Sequence, residues 1–168
     1  MADENYIKYT KALSLRKVEP QNDAALLIRF GRDLYRESLG NEDAFFRDYG
    51  RYGANFPVWI SACMERDRAY AKFLVEDGEE VALAVLGIDE HDRMIGRVHH
   101  FYVTPTHRGQ GFGGILDDYA RDTLSDRGCC VARLNVSARN KRAIRFYEGL
   151  GWLETHRRGG LIWMETKL

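Results

Sequence analysis

Apolar residues change their spacing several times along the chain, and each change predicts a new element. A short β-rich stretch at 13–18 is followed by Pro20, Asn22 and Asp23, which supply a helix start, and then by Leu27, Phe30 and Leu34 at helical spacing. Between 41 and 66 the aromatic residues Phe45, Phe46, Tyr49, Tyr52, Phe56 and Trp59 lie among charges. Gly50, Gly53 and Pro57 interrupt them, which predicts one or two short helices. The spacing then becomes β-like: 72–76 and 81–88 are joined through Asp77-Gly78, a strong hairpin signal. A polar turn at 89–93 leads into a strand over 94–103, and Pro105 in the loop 104–111 stops it.

Helical spacing returns with Ile115, Leu116, Tyr119, Ala120 and Leu124 on one face and Asp117, Asp118, Arg121 and Asp122 mostly on the other. Gly128 ends that helix; a strand over 131–137, a short helix over 140–150 and a hairpin over 153–167 about Gly159-Gly160 complete the order. The pattern is α/β in the mixed α+β sense. Its strand–helix–strand unit over 94–137 implies a right-handed crossover and one parallel pairing inside a mostly antiparallel sheet. At 168 residues, with no linker or repeat, the chain reads as one domain over 1–168.

Composition narrows the function classes. The 25 basic and 25 acidic residues cancel, so the positive field of a nucleic-acid or anionic-membrane binder is missing. The longest apolar run, 81–88, is far short of the roughly 20 residues that cross a bilayer. The stretch MADENYIKYTKALSLRK lacks the apolar segment of a signal peptide, and Cys63, Cys129 and Cys130 cannot all pair. The expectation is a reduced, cytoplasmic protein with neither nucleic-acid nor membrane partner.

Candidate chemistry gathers after the 94–103 strand. In RGQGFGG, residues 108–114, glycines between a strand and a helix let backbone amides converge on an anion at the helix start, though an ordinary glycine-rich turn has the same composition. Gly109, Gly111 and Gly114 also satisfy GxGxxG, but five residues separate the strand from the first glycine, and no acidic residue ends the next strand, against a dinucleotide fold. His99 and His100 are adjacent in a strand and are expected on opposite faces, which disfavours a metal pair. Cys129 and Cys130 follow a helix-ending glycine with no histidine partner and read as packing residues. Glu37, Glu42, Asp43 and Asp48 are either a solvated face or an amine-binding patch; Arg139, Lys141, Arg142 and Arg145 are either a solvated face or a phosphate contact.

The segment HHFYVTPTHRGQGFGGIL followed by NVSARNKRAIRFYEGLGW resembles the core of the GNAT N-acetyltransferases, over about 94–152. The resemblance implies the acyl-CoA N-acyltransferase fold, a mostly antiparallel sheet with two splayed parallel strands flanked by helices. It also implies acetyl-CoA as co-substrate without a metal. The backbone of Phe101, Tyr102 and Val103 would pair with the pantetheine arm, and Asn140 would help to hold it. The amides of Arg108, Gly109, Gln110, Gly111, Phe112, Gly113 and Gly114 would take the pyrophosphate. His99 would accept the amine proton, and Tyr147, facing the cleft while Phe146 faces the core, would protonate the departing thiolate. The acceptor would be a small-molecule or peptide amine. A CoA-binding sensor without turnover stays open on the same scaffold, as does a homodimer through the closing hairpin.

Overall fold

The computed structural model describes residues 12–65 and 69–168; the stretch 1–11 and the end of the second aromatic region at Arg66 lie outside the described residues. In chain order the elements are β1 (Leu13–Lys17), α1 (Ala24–Leu39), α2 (Asp43–Tyr49), α3 (Asn55–Glu65), β2 (Ala69–Glu76), β3 (Glu79–Ile88), β4 (Ile95–Val103), α4 (Phe112–Asp126), β5 (Val131–Ser137), α5 (Lys141–Gly149), β6 (Leu153–Arg158) and β7 (Leu161–Lys167). The strands form one mixed sheet in the order β1-β2-β3-β4-β5-β7-β6. Among the described residues only the β4–β5 pairing is parallel. The two hairpin signals hold for a conformational reason: Asp77 and Gly78, and again Gly159 and Gly160, all have the positive φ that a tight two-residue turn requires.

Helices cover both faces of this sheet, and β3 records it in its sequence. Val81 through Leu86 are all buried. Leu83 and Val85 pack with Leu27 and Phe30 of α1 and with Phe56 and Ile60 of α3. Ala82 and Ala84 pack with Phe112 and Leu116 of α4 on the other side. A strand covered twice reads as an unbroken apolar run rather than an alternation. Leu124 of α4 and Tyr147 of α5 share their face with Leu134 and Val136 of β5 and Ile162 and Met164 of β7. Ile162 and Met164, residues of the closing hairpin, are thus buried within the chain's own core.

Three expectations are corrected. Pro57 does not interrupt a helix; it lies in the first turn of α3, where a missing N–H leaves no bond unmade. Asp117 is not on a solvated face: it is 2% exposed. Its carboxylate accepts from Trp152 Nε1 at 2.8 Å and from Arg121 Nε at 2.6 Å. Arg121, half-buried, also donates to the Leu150 carbonyl at 3.0 Å and to Thr166 Oγ1 at 3.1 Å, so this ion pair ties α4 to the end of α5 and to β7. Of the two adjacent cysteines only Cys129 is buried, its thiol pKa raised by that burial, whereas Cys130 is exposed.

Candidate active site

The parallel pair β4 and β5 is joined over only Ile95–Arg97 and Val131–Arg133. Beyond that point the strands part and leave a cavity of about 600 Å³, closed by the end of α1, the start of α4 and the inner side of α5. Two features enforce the parting. At the closed end Gly96 admits α4, since a Cβ there would lie 2.5 Å from Leu124 Cδ1. Further on, Val85 faces His100 while Leu86 faces Val98, so His99 is an extra residue in β4, and such a bulge bends its strand.

The bulge corrects the expected placement of the two histidines. Val98 and Phe101 pack on the side of α4 and α5, while both imidazoles stand edge-on to the ring of Trp59 from α3, at 5.4 Å for His99 and 5.8 Å for His100. The extra residue cancels the normal alternation, and the two side chains share a side of the sheet. His100 is buried among Tyr35, Phe56 and Trp59, and loss of hydration, aided by His99, lowers its pKa to about 3. His99 is exposed to the cavity; the protein around it, with the charge of Arg97, lowers its pKa to about 4. Both rings are neutral at pH 7.

Phe101, Tyr102 and Val103 line the cavity. Phe101 and Val103 pack toward α4, while the Tyr102 hydroxyl donates to Asp33 of α1 at 3.2 Å. The loop beyond is tied to the strands: Thr104 N–H donates to the Val81 carbonyl of β3 at 2.9 Å, and the Arg108 side chain donates through Nε to the Val103 carbonyl of β4 at 2.9 Å. Gly111 caps α4 in a left-handed conformation, φ +87°, with no side chain accepting from the first turn. The opening amides of α4 at Phe112, Gly113 and Gly114 therefore meet no capping side chain. Arg108, Gly109, Phe112 and Gly113 form part of the cavity wall; Gln110, Gly111 and Gly114 do not, and the Gln110 amide folds back onto the Thr106 carbonyl at 3.0 Å. Gly113 serves helix packing, because a Cβ there would lie 2.8 Å from the Phe146 ring.

On α5, Asn140 lines the cavity but its side-chain oxygen is already used, accepting from Ala143 N–H at 3.1 Å as the helix cap. Phe146 and Tyr147 both border the cavity, and Tyr147 is the more buried of the two. Its ring lies 5.7 Å from Trp152, 5.1 Å from Phe146 and 6.5 Å from Phe101. Burial, with the nearby Asp117 carboxylate, raises the phenol pKa, so Tyr147 is a protonated acid at neutral pH. Trp152, fully buried and anchored by Asp117, packs against the Tyr147 ring.

A second cavity of about 440 Å³ adjoins the first, and Val98, His99, Leu134 and Asn135 border both. Its far wall includes Trp59, Trp163, Asp89 and Arg97. Arg97 donates to Asp89 at 2.6 Å and stacks over Trp163 at 5.6 Å. Of the acidic residues weighed in the sequence, Glu42 is paired with Arg32 and Arg36, and Asp48 accepts from Tyr35, while Glu37 bridges Arg108 and Arg142 at the mouth of the larger cavity. Neither Asp117 nor the Glu37 bridge was singled out in the sequence. Asp117 left a trace, an Asp–Arg pair at i, i+4 on the arc that also carries Leu116 and Ala120; Glu37 and Arg142 are 105 positions apart and left none. Among the described residues no group of three or more potential ligands is arranged to hold a metal ion, and no helix is long and apolar enough to cross a membrane.

Comparison with known proteins agrees with this geometry. An uncharacterized N-acetyltransferase of Archaeoglobus fulgidus is 30% identical over 118 residues, 68% of this chain and 78% of that protein. One of Methanocaldococcus jannaschii is 37% identical over 62 residues, but these amount to only 37% of this chain and 27% of that protein. The PaiA N-acetyltransferase of Thermoplasma acidophilum, solved in complex with coenzyme A, superposes with a TM-score of 0.79 at 17% identity, covering 94% of this chain and 99% of that one. The profile of the acetyltransferase (GNAT) family matches residues 31–152. A match of that extent, on a sheet that opens between its two parallel strands, makes the chain a member of the GNAT acetyltransferase family.

Proposed function

We propose that the protein transfers an acetyl group from acetyl-CoA to a primary amine by direct attack. The observation that carries this reading is the open β4–β5 gap, which joins a donor-lined cavity to a second cavity through His99. Strand edges that face no partner hold unpaired N–H and C=O groups, which suit the amide-rich arm of CoA. The α4 amides at Phe112 to Gly114 suit its diphosphate, helped by the positive end of the helix. The acceptor enters from the side of Trp59 and Trp163.

In this reaction the amine lone pair forms the new C–N bond, the C–S bond breaks, and two protons move. A free primary ammonium with pKa about 10 is far too weak an acid for an imidazole of pKa about 4. His99 therefore receives its proton only after attack has made that nitrogen acidic, and passes it quickly to solvent. Tyr147, kept protonated at neutral pH, gives its phenolic proton to the thiolate as it leaves and regains one from solvent; its raised pKa keeps that proton in place but opposes its release, so the basicity of the departing thiolate drives the step. No acyl-enzyme is needed. Incubation with acetyl-CoA and a panel of amines, followed by a thiol reagent, tests the proposal: amine-dependent release of CoA thiol is expected. CoA binding without release for any amine would favour the sensor, and failure to bind CoA would reject both.

A further inference from the structure

We propose that Arg108 and Arg142 form a phosphate site that the chain's own Glu37 occupies when no cofactor is bound. This rests on the acetyl-CoA reading above and adds a competitor for one end of that ligand. Glu37 stands in the last turn of α1, the end where the helix dipole disfavours a negative charge. Two guanidiniums hold it there. Arg108, from the loop before α4, donates to one carboxylate oxygen, and Arg142, from α5, donates to the other at 2.9 Å. All three residues lie on the wall of the 600 Å³ cavity, and Arg108 directly precedes Gly109 and the unfilled amides of α4.

A carboxylate bridging two arginines from separate elements is the geometry a phosphate also satisfies, with more charge and a third oxygen. Arg108 is additionally fixed by its bond to the Val103 carbonyl, so its guanidinium is preorganised for either anion. When a CoA phosphate arrives, Glu37 is displaced, and the end of α1, which also supplies Leu34, Tyr35 and Ser38 to the cavity wall, loses its tie to α5. The acceptor-side helix thereby senses whether the cofactor is bound.

Calorimetry on Glu37→Gln tests this with three probes: CoA, 3′-dephospho-CoA and S-acetylpantetheine, which carries no phosphate. Removing the competing charge should tighten CoA binding about 5- to 10-fold, of the order expected for one charge-assisted contact, and leave S-acetylpantetheine unchanged. A gain kept with dephospho-CoA assigns the diphosphate to the pair, and a gain lost with it assigns the 3′-phosphate. Unchanged or weaker CoA binding, or an equal shift for S-acetylpantetheine, overturns the proposal. Should Glu37→Gln fold poorly by circular dichroism, Arg142→Gln gives an independent reading. It should weaken CoA but not S-acetylpantetheine, and equal effects on both would again overturn the site. If the wild-type protein binds no CoA, the functional reading fails and not merely this refinement.

Discussion

The two sides of the β4–β5 gap are built from different materials. On the side of α4 and α5 main chain contributes to the wall beside side chains such as Phe146 and Tyr147: a strand edge, a glycine loop and the uncapped amides of a helix start. On the side of α1 to α3 it is side chain, with Tyr35, Phe56 and Trp59 packed around two histidines. Main-chain donors have fixed positions whatever residues carry them, so they suit a ligand that never changes. Side chains can be exchanged one at a time, so they suit a ligand that differs from protein to protein.

Experiments can break this contrast. The largest expected effect is on turnover: Tyr147→Phe should lower it roughly 10²- to 10⁴-fold with little change in CoA affinity, since it removes a proton and no backbone donor. A parallel loss of CoA affinity in calorimetry would mean that the tyrosine helps to build the main-chain side. Asp117→Ala should destabilise the protein by about 1–3 kcal/mol in urea unfolding, because it leaves the buried Trp152 N–H without an acceptor and takes one partner from the half-buried Arg121. A cost near zero would show that Arg121 finds water instead.

The aromatic side should respond to pH. Burial lowers the pKa of His100 to about 3 in the folded chain, against about 6.5 when unfolded, and that of the exposed His99 is lowered too. The unfolded chain therefore takes up these protons first, so their effect on stability is absent above about pH 6.5 and grows as pH falls toward 3. His100→Leu should make the fall in melting temperature over that range shallower; an unaltered slope would show that the ring is hydrated in the native state. The smallest effect belongs to the loop. Gly111→Ala should cost about 1–2 kcal/mol from its left-handed φ alone, because no protein atom lies within 4 Å of the added Cβ. A larger loss in thermal unfolding would mean that the loop packs more tightly than its open surroundings indicate.

The contrast also explains what could be read in advance. The strands, the Asp77-Gly78 turn and the glycine loop were legible because each is a local matter of periodicity or positive φ, settled within a few residues. The gap itself followed from resemblance rather than from spacing. The depth of Tyr147 was not legible, because it depends on Trp152 and on Asp117, 30 positions earlier, which no local pattern links to it. The placement of His100 on the same side as His99 was misjudged because a bulge is a property of two strands and not of one. Register between β3 and β4 decides it, and register depends on the whole sheet.

That bulge has a consequence for how β4 tolerates change. Before it, Gly96 and Val98 face α4; after it, Phe101 and Val103 do, so odd and even positions exchange roles within one strand. Removing a single residue at position 99 would restore plain alternation and turn one end of the strand over. Either Phe101 would be driven among the aromatic residues of α1 and α3 and Tyr102 toward α4, or Gly96 would lose its fit to Leu124. The strand is thus far more sensitive to length than to spelling, and its count of residues is itself part of the cavity's design.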